Sequence, residues 1–287
     1  MADNYQLITD SSSDLPAEYL AKEEIIAMPL SFTIDGKQYY SGEMDEKQFY
    51  ARMRNGAMPV TSQVNVAQAI SAFEDVLKKG RDILYIAFSS ALSGTYNSAR
   101  IATEELQPSY PDRKIVVVDS LSITLGQGLL VYLANQAKKA GDSLERASEW
   151  VRSHVQNVAH FITAADLNHL HRGGRISKAS TIIGSCLGIQ PIININDAGE
   201  AKVVAKKRGH KNALNGLVEQ MGKVIGDTVN NICFISHADC EEDAFYVRDQ
   251  VRKAFGICDF LITQAGPVLG AHTGPDAVAL CMLAECR

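Results

Sequence analysis

The 287-residue sequence predicts an α/β protein with an N-terminal Rossmann-like parallel-sheet domain and a C-terminal α+β domain with a mainly antiparallel sheet. Three observations predict it. The length exceeds what one hydrophobic core usually serves, which favours two domains. The first half alternates short apolar runs with amphipathic segments, the pattern of βαβ units. Beyond Asn157 apolar or alternating runs dominate, and Asp197, Ala198 and Gly199 form a turn between two of them, as an antiparallel hairpin requires. The expected domains are 1–157 and 158–287.

The candidate strands of the first domain are residues 5–9, 25–30, 83–88 and 115–118, short apolar runs of the kind found where helices cover both faces of a sheet. Three of them run into polar turns: Asp10, Ser11, Ser12, Ser13 and Asp14 after the first; Ser89, Ser90 and Ser93 after the third; Asp119, Ser120 and Ser122 after the fourth. These are strand carboxyl ends, where open α/β sheets bind ligands. Helices are expected around Ala69, Phe73, Val76 and Leu77, and around Leu129, Leu130, Leu133 and Ala137, each with one apolar face. A third should start at Asp142, with Glu145 completing a capping box, and run through Trp150 to about His154.

In the second domain the expected strands are 161–165, 192–195, 202–206, 232–236, 260–264 and 277–283. Two helices separate them, one with Leu214, Leu217, Val218, Met221 and Ile225 on its apolar face, the other with Ala244, Val247, Val251 and Ala254. No long flexible linker divides the halves, so they should pack closely around a shared cleft, a usual place for a ligand.

Composition removes several classes of function. With 46% hydrophobic and 21% charged residues the chain is neither disordered nor a membrane protein by type. A net charge of -5 leaves no basic excess for phosphate backbones, so nucleic acid is not an expected partner. The N-terminal stretch MADNYQLITD lacks a basic region followed by an apolar run, and no segment offers the roughly 20 apolar residues of a membrane span. A cytoplasmic protein, not integral to the membrane, is expected. Cys186, Cys233, Cys240, Cys258, Cys281 and Cys286 have neither CxxC nor zinc-site spacing, so reduced thiols, with no metal and no cofactor, are expected.

The richest polar constellation joins Thr61, Ser62 and Gln63 to the run from Ser89 through Ser93 and Gly94 to Thr95. Both segments read as helix openings, where hydroxyls, free N–H groups and the positive end of the dipole favour a carboxylate or phosphate. The plainer alternative is that they only cap helices. No GxSxG elbow, HExxH motif or GxxxxGK[ST] loop occurs, and Gly126 and Gly128 lack the third glycine of a dinucleotide fingerprint, which argues against a catalyst. The rival reading is a serine-nucleophile enzyme acting on a small acyl or anionic substrate, with Ser93 as nucleophile and His272 as base.

Two further loops carry chemistry. Arg172, Gly173, Gly174 and Arg175 place two guanidinium groups around a tight turn, suited to phosphate or to a partner's carboxylates, and Lys206, Lys207 and Arg208 add charge that can extend the same patch. The run from Gly266 to Pro275 packs three glycines and two prolines around His272, a candidate donor to a carboxylate; His237 is the second candidate. His154, His160, His169, His171 and His210 read as surface or packing residues.

The TSQ triplet at Thr61, the SSALSGTY run at Ser89, the Asp119–Ser120 pair, LxxLxRGGRIS from Leu167 to Ser177 and GAHTGPD from Gly270 together resemble the DegV family, in the family's order and over almost the whole chain. The resemblance implies a fatty-acid-binding carrier without catalytic machinery of its own, with the acyl chain buried in a tunnel. It places Thr61, Ser93 and His272 at the head group, with Ser62, Gly94 and Thr273 beside them. In bacteria that have a fatty acid kinase, similar proteins present the bound acid to that kinase for acyl-phosphate formation, and Arg172, Arg175 and Arg208 are expected to dock that partner or steady phosphate. Gln190 departs from the pattern, standing where a lysine is expected before Pro191.

Overall fold

The computed structural model describes residues 5–165, 167–176 and 188–287, so Ser177 and Cys186 lie outside the described residues. Strand β1 (Tyr5–Asp10) is buried along its whole length and ends in a 3-10 turn, Ser11–Ser13, capped by the Asp10 carboxylate. Helix α1 (Ala17–Lys22) leads to β2 (Ile26–Met28), parallel to β1. This strand is shorter than the expected run of 25–30, because Pro29 has no N–H to give a ladder.

The chain then builds a small antiparallel sheet for which the sequence reading had no strands. It consists of β3 (Ser31–Ile34), β4 (Lys37–Tyr40) and, after helix α2 (Glu46–Arg54), β5 (Val60–Ser62), in the order β4-β3-β5. Asp35 and Gly36, both at positive φ, make the two-residue turn between β3 and β4. Thr61 and Ser62 therefore sit on a strand rather than at a helix opening. Helix α3 (Val66–Leu77) starts later, where Asn65 and Gln68 form a capping box that the hydroxyl pair does not supply.

The parallel sheet continues through β6 (Asp82–Ala87), α4 (Thr95–Leu106), β7 (Ile115–Asp119), α5 (Thr124–Lys139) and α6 (Leu144–His154). Its order is β2-β1-β6-β7, so the winding reverses between β1 and β6. The expected cap of α6 is off by one residue. Ser143 accepts from the Arg146 N–H, while Asp142 forms an ion pair with Arg146, and no capping box with Glu145 is made.

The remaining elements are β8 (Val158–Thr163), α7 (Asn168–Arg172), β9 (Ile189–Ile195), β10 (Ala201–Arg208), α8 (His210–Val224), β11 (Ile232–His237), α9 (Glu241–Phe255), β12 (Asp259–Gln264), α10 (Pro267–Thr273) and β13 (Val278–Leu283). Six strands form one sheet in the order β10-β9-β8-β13-β11-β12, and β9 and β10 make the expected hairpin around Gly199. All neighbours are antiparallel except β11 and β12, which α9 connects as a βαβ unit. The fold is thus α/β with an N-terminal parallel sheet and a C-terminal mainly antiparallel one.

Packing is layered. Helices α3 and α4 cover one face of the parallel sheet around Phe73, Ala99 and Tyr85. Helix α5 lies between the two sheets: Leu125, Leu129 and Leu130 share one core with Leu84 and Ile86 on one side and Phe234 and Cys281 on the other. Its first two turns are buried all round, which is why only its later turns follow the one-faced pattern expected from sequence. Helices α8 and α9 close the far side of the antiparallel sheet through Leu217, Met221, Val247 and Val251. Strands β8 and β9 alternate: Phe161 and Ile192 pack under those helices, while Ile162, Ile193 and Ile195 face the other way.

At the centre of this arrangement α5 approaches β8 so closely that a Cβ on Gly126 would overlap the ring of His160, which is fully buried. Gly126→Ala is therefore expected to lower the unfolding free energy by about 1–3 kcal/mol through overpacking. Trimming the ring in Gly126→Ala/His160→Ser should recover part of the loss in denaturant titrations. Additive losses would contradict the contact.

Candidate ligand pocket

The reversal of winding between β1 and β6 opens the sheet at the carboxyl ends of those strands, and a pocket lined by both halves of the chain lies there. Most of its wall is apolar. Leu30, Phe88, Leu92 and Ile123 come from the N-terminal half, and Ile162, Ile193, Ile195, Val268 and Leu269 from the C-terminal half. The polar lining is Ser12, Thr61, Ser62, Gln63, Ser93, Arg175, His272 and Thr273.

The polar groups are knitted together by specific contacts. Thr61 Oγ1 and His272 Nε2 are 2.8 Å apart, a hydrogen bond between strand β5 and helix α10. The Ser93 hydroxyl lies 3.0 Å from Thr95 Oγ1, which in turn accepts from the Val64 N–H. Gly94 does not line the pocket but caps α4, and a Cβ there would overlap the Gln63 side chain. Glycine at this position lets the TSQ strand and the serine loop close against each other. Thr273 is buried and donates to the Leu269 carbonyl at 3.2 Å.

The arginines of the RGGR loop separate. Arg172 is exposed and its Nη2 is 3.1 Å from His169 Nδ1. Arg175 is half-buried, lines the pocket, and donates from Nε to the Leu92 carbonyl at 3.1 Å and from Nη1 to the Gly173 carbonyl. Arg208, the last residue of β10, is exposed and pairs with Ile189, which puts it at the end of the sheet where β8 finishes and the RGGR segment follows. Lys207 stands opposite Gln190 in the same ladder, so a cation neighbours the position that lacks its own.

Electrostatics keep the imidazole neutral. Burial, with the nearby Arg175 and Arg172 charges, lowers the His272 pKa to about 4. Among the described residues its Nδ1 has no hydrogen-bond partner, and it faces Gly173, where a Cβ would overlap it, so that glycine of the RGGR loop serves close approach to this ring. His237, the second candidate, lies outside this pocket, in a separate cleft.

Two residues absent from the sequence-derived site organise these loops. Asp10 is fully buried and accepts from Tyr85 OH at 2.8 Å, Phe88 N at 3.1 Å and Gln127 Nε2 at 3.2 Å, and from the Ser12 hydroxyl. Burial raises its pKa. Asp14 accepts from Thr124 Oγ1 at 2.6 Å and Gly266 N at 2.9 Å, and burial pushes its carboxyl up to about 7. The polar turn after β1 was a visible signal, since aspartates at a strand's carboxyl end have loops within reach; which loops they hold depends on tertiary packing.

A family model described as an uncharacterised protein of the DegV family matches residues 4–285. The chain belongs to the DegV family. A DegV domain-containing protein of Clostridium perfringens is 42% identical over 286 residues, covering 99% of this chain and 98% of that protein. Among solved structures, a fatty acid binding DegV family protein from Streptococcus agalactiae superposes with a TM-score of 0.88 at 29% identity, covering 99% of each chain. A stearic acid-binding protein from Eubacterium ventriosum gives 0.88 at 27% identity, covering 98% of each. Among the described residues no helix is long and apolar enough to cross a membrane.

The depressed pKa of His272 sets a testable pH window. Its folded value of about 4 lies below the usual histidine value of 6.5, so its contribution to stability is present above about pH 6.5 and is lost as pH falls toward 4. Relative to a His272→Gln variant, the wild type should lose at most about 3 kcal/mol across that window. Denaturant titrations at several pH values measure it, and an NMR titration of His272 with a midpoint near 6.5 would contradict the burial argument.

Proposed function

We propose that this protein binds a long-chain fatty acid, with the acyl chain against the apolar wall and the carboxylate at Thr61, Ser93 and His272, and presents that carboxylate to a fatty acid kinase. The observation that carries the reading is a mostly apolar pocket whose polar groups are chiefly neutral hydroxyls and a neutral imidazole. About fifteen methylenes leaving water contribute on the order of 12 kcal/mol, before association costs are deducted. Affinity then comes from the wall, and the polar end has only to keep a desolvated carboxylate from being left unpaired.

Ser62 and Thr273 lie beside the head group in this reading, and the Gly94 backbone sets the distance between the two hydroxyl loops. Arg175 steadies the carboxylate from the pocket wall, whereas the exposed Arg172 and Arg208 meet the kinase. A serine nucleophile is the weaker reading, because the Ser93 hydroxyl pairs with Thr95 while His272 pairs with Thr61, so no Ser–His couple is set up.

Native mass spectrometry of the purified protein should reveal a co-purified acyl chain; a protein that stays empty and ignores added fatty acids sinks the reading. Ser93→Ala and His272→Ala should reduce kinase-coupled acyl-phosphate formation at least about tenfold while total binding falls less, because the chain supplies most of the affinity. Equal losses in the two assays would contradict this. Arg172→Ala should spare binding and reduce transfer.

A further inference from the structure

We propose that Asp14 is a positioning residue for head-group recognition: it holds the first turn of α10, which carries His272, and the first residue of α5, which follows the pocket residue Ile123. The inference rests on the carboxylate reading of the pocket. The turn after β1 and the start of α10 form a partition between two cavities. Ser12 faces the pocket while Ser13 and Asp14 face an open cleft on the other side, and Leu269 and His272 face the pocket while Gly266 and Pro267 face the cleft. Asp14 ties this partition together.

One carboxylate oxygen accepts from the N–H of Gly266, the residue that caps α10. That helix is also held by Tyr50, whose hydroxyl donates to the Ala265 carbonyl at 2.8 Å and whose ring packs where a Cβ on Gly270 would sit. Tyr50 and Asp14 thus grip the segment before Pro267 through a carbonyl and an N–H, and His272 follows within two turns. Removing the Asp14 grip leaves the Gly266 N–H without its partner and lets the imidazole drift from Thr61.

The other oxygen accepts from the Thr124 hydroxyl, which is also 2.9 Å from Ser236 Oγ on β11. Thr124 has a φ of 45°, a costly conformation for a β-branched residue that persists only where its surroundings hold it. Its two hydroxyl contacts supply that hold. One buried side chain therefore fixes α10 and the α5 entry relative to β1, so its effect should fall on the polar end of the ligand rather than on the apolar wall.

Comparing a saturated long-chain fatty acid with the primary alcohol of the same length separates positioning from general destabilisation. Asp14→Ala should weaken binding of the acid about tenfold and of the alcohol less than about twofold. Asp14→Asn, whose amide offers an acceptor to Gly266 N–H and a donor to Thr124, should keep the wild-type preference. Parallel losses for acid and alcohol, or an unchanged acid affinity in Asp14→Ala, overturn the proposal. If Asp14→Ala does not fold, Asp14→Glu carries the test: the displaced carboxylate should reduce the preference for the acid, and an unchanged preference overturns it. A wild type that binds acid and alcohol equally instead overturns the carboxylate reading, and the proposal with it.

Discussion

Two carboxyl groups at the carboxyl end of β1 are taken out of water, and the loops around the pocket are arranged to satisfy them. Among the described residues no lysine or arginine forms an ion pair with Asp10 or Asp14; their partners are hydroxyls, amides and backbone N–H groups. Burying such groups is costly unless they are hydrogen-bonded, and the bonds that offset the cost come from β6, the loop after it, α5 and the start of α10. Satisfying Asp10 brings the Phe88 loop to β1, and satisfying Asp14 brings in the C-terminal segment. The pocket is the space left between loops drawn to these two side chains.

That constraint also explains why apolar and polar linings can coexist there. The isoleucines of β8 and β9 supply a wall that needs no polar partner, while the hydroxyl loops reach it from the parallel sheet. The Arg175 guanidinium donates to carbonyl groups and keeps its charge while the imidazole is neutral, so the polar end combines one cation with neutral hydrogen-bonding groups.

Much of the fold was legible because its signals are local. The buried strands of both sheets read as short apolar runs, and the Asp197–Gly199 turn marked the β9–β10 hairpin. The small sheet was missed although Asp35–Gly36 is a strong hairpin signal, because β3 and β4 are only four residues each and the pairing of β3 with β5 spans a helix. Thr61 and Ser62 were read as helix-opening residues since Ser and Thr favour caps; strand pairing with β3 overrides that preference. The pocket residues Thr61, Ser93 and His272 were legible through their motifs, whereas Asp10 and Asp14 required knowing which distant N–H groups packing brings to them. Arg175 was grouped with Arg172 for docking a partner or phosphate because neighbouring residues in a loop give no hint of which one lines the pocket.

The alternation along β8 and β9 separates two jobs within one pair of strands. Ile162, Ile193 and Ile195 shape the pocket, and the residues that precede the first two, Phe161 and Ile192, secure the helical layer behind the sheet. Calibre on one side can therefore be retuned by substitution without disturbing the packing on the other. A scaffold of this kind can change the length and bulk of what it accommodates at those three isoleucine positions while its architecture stays constant.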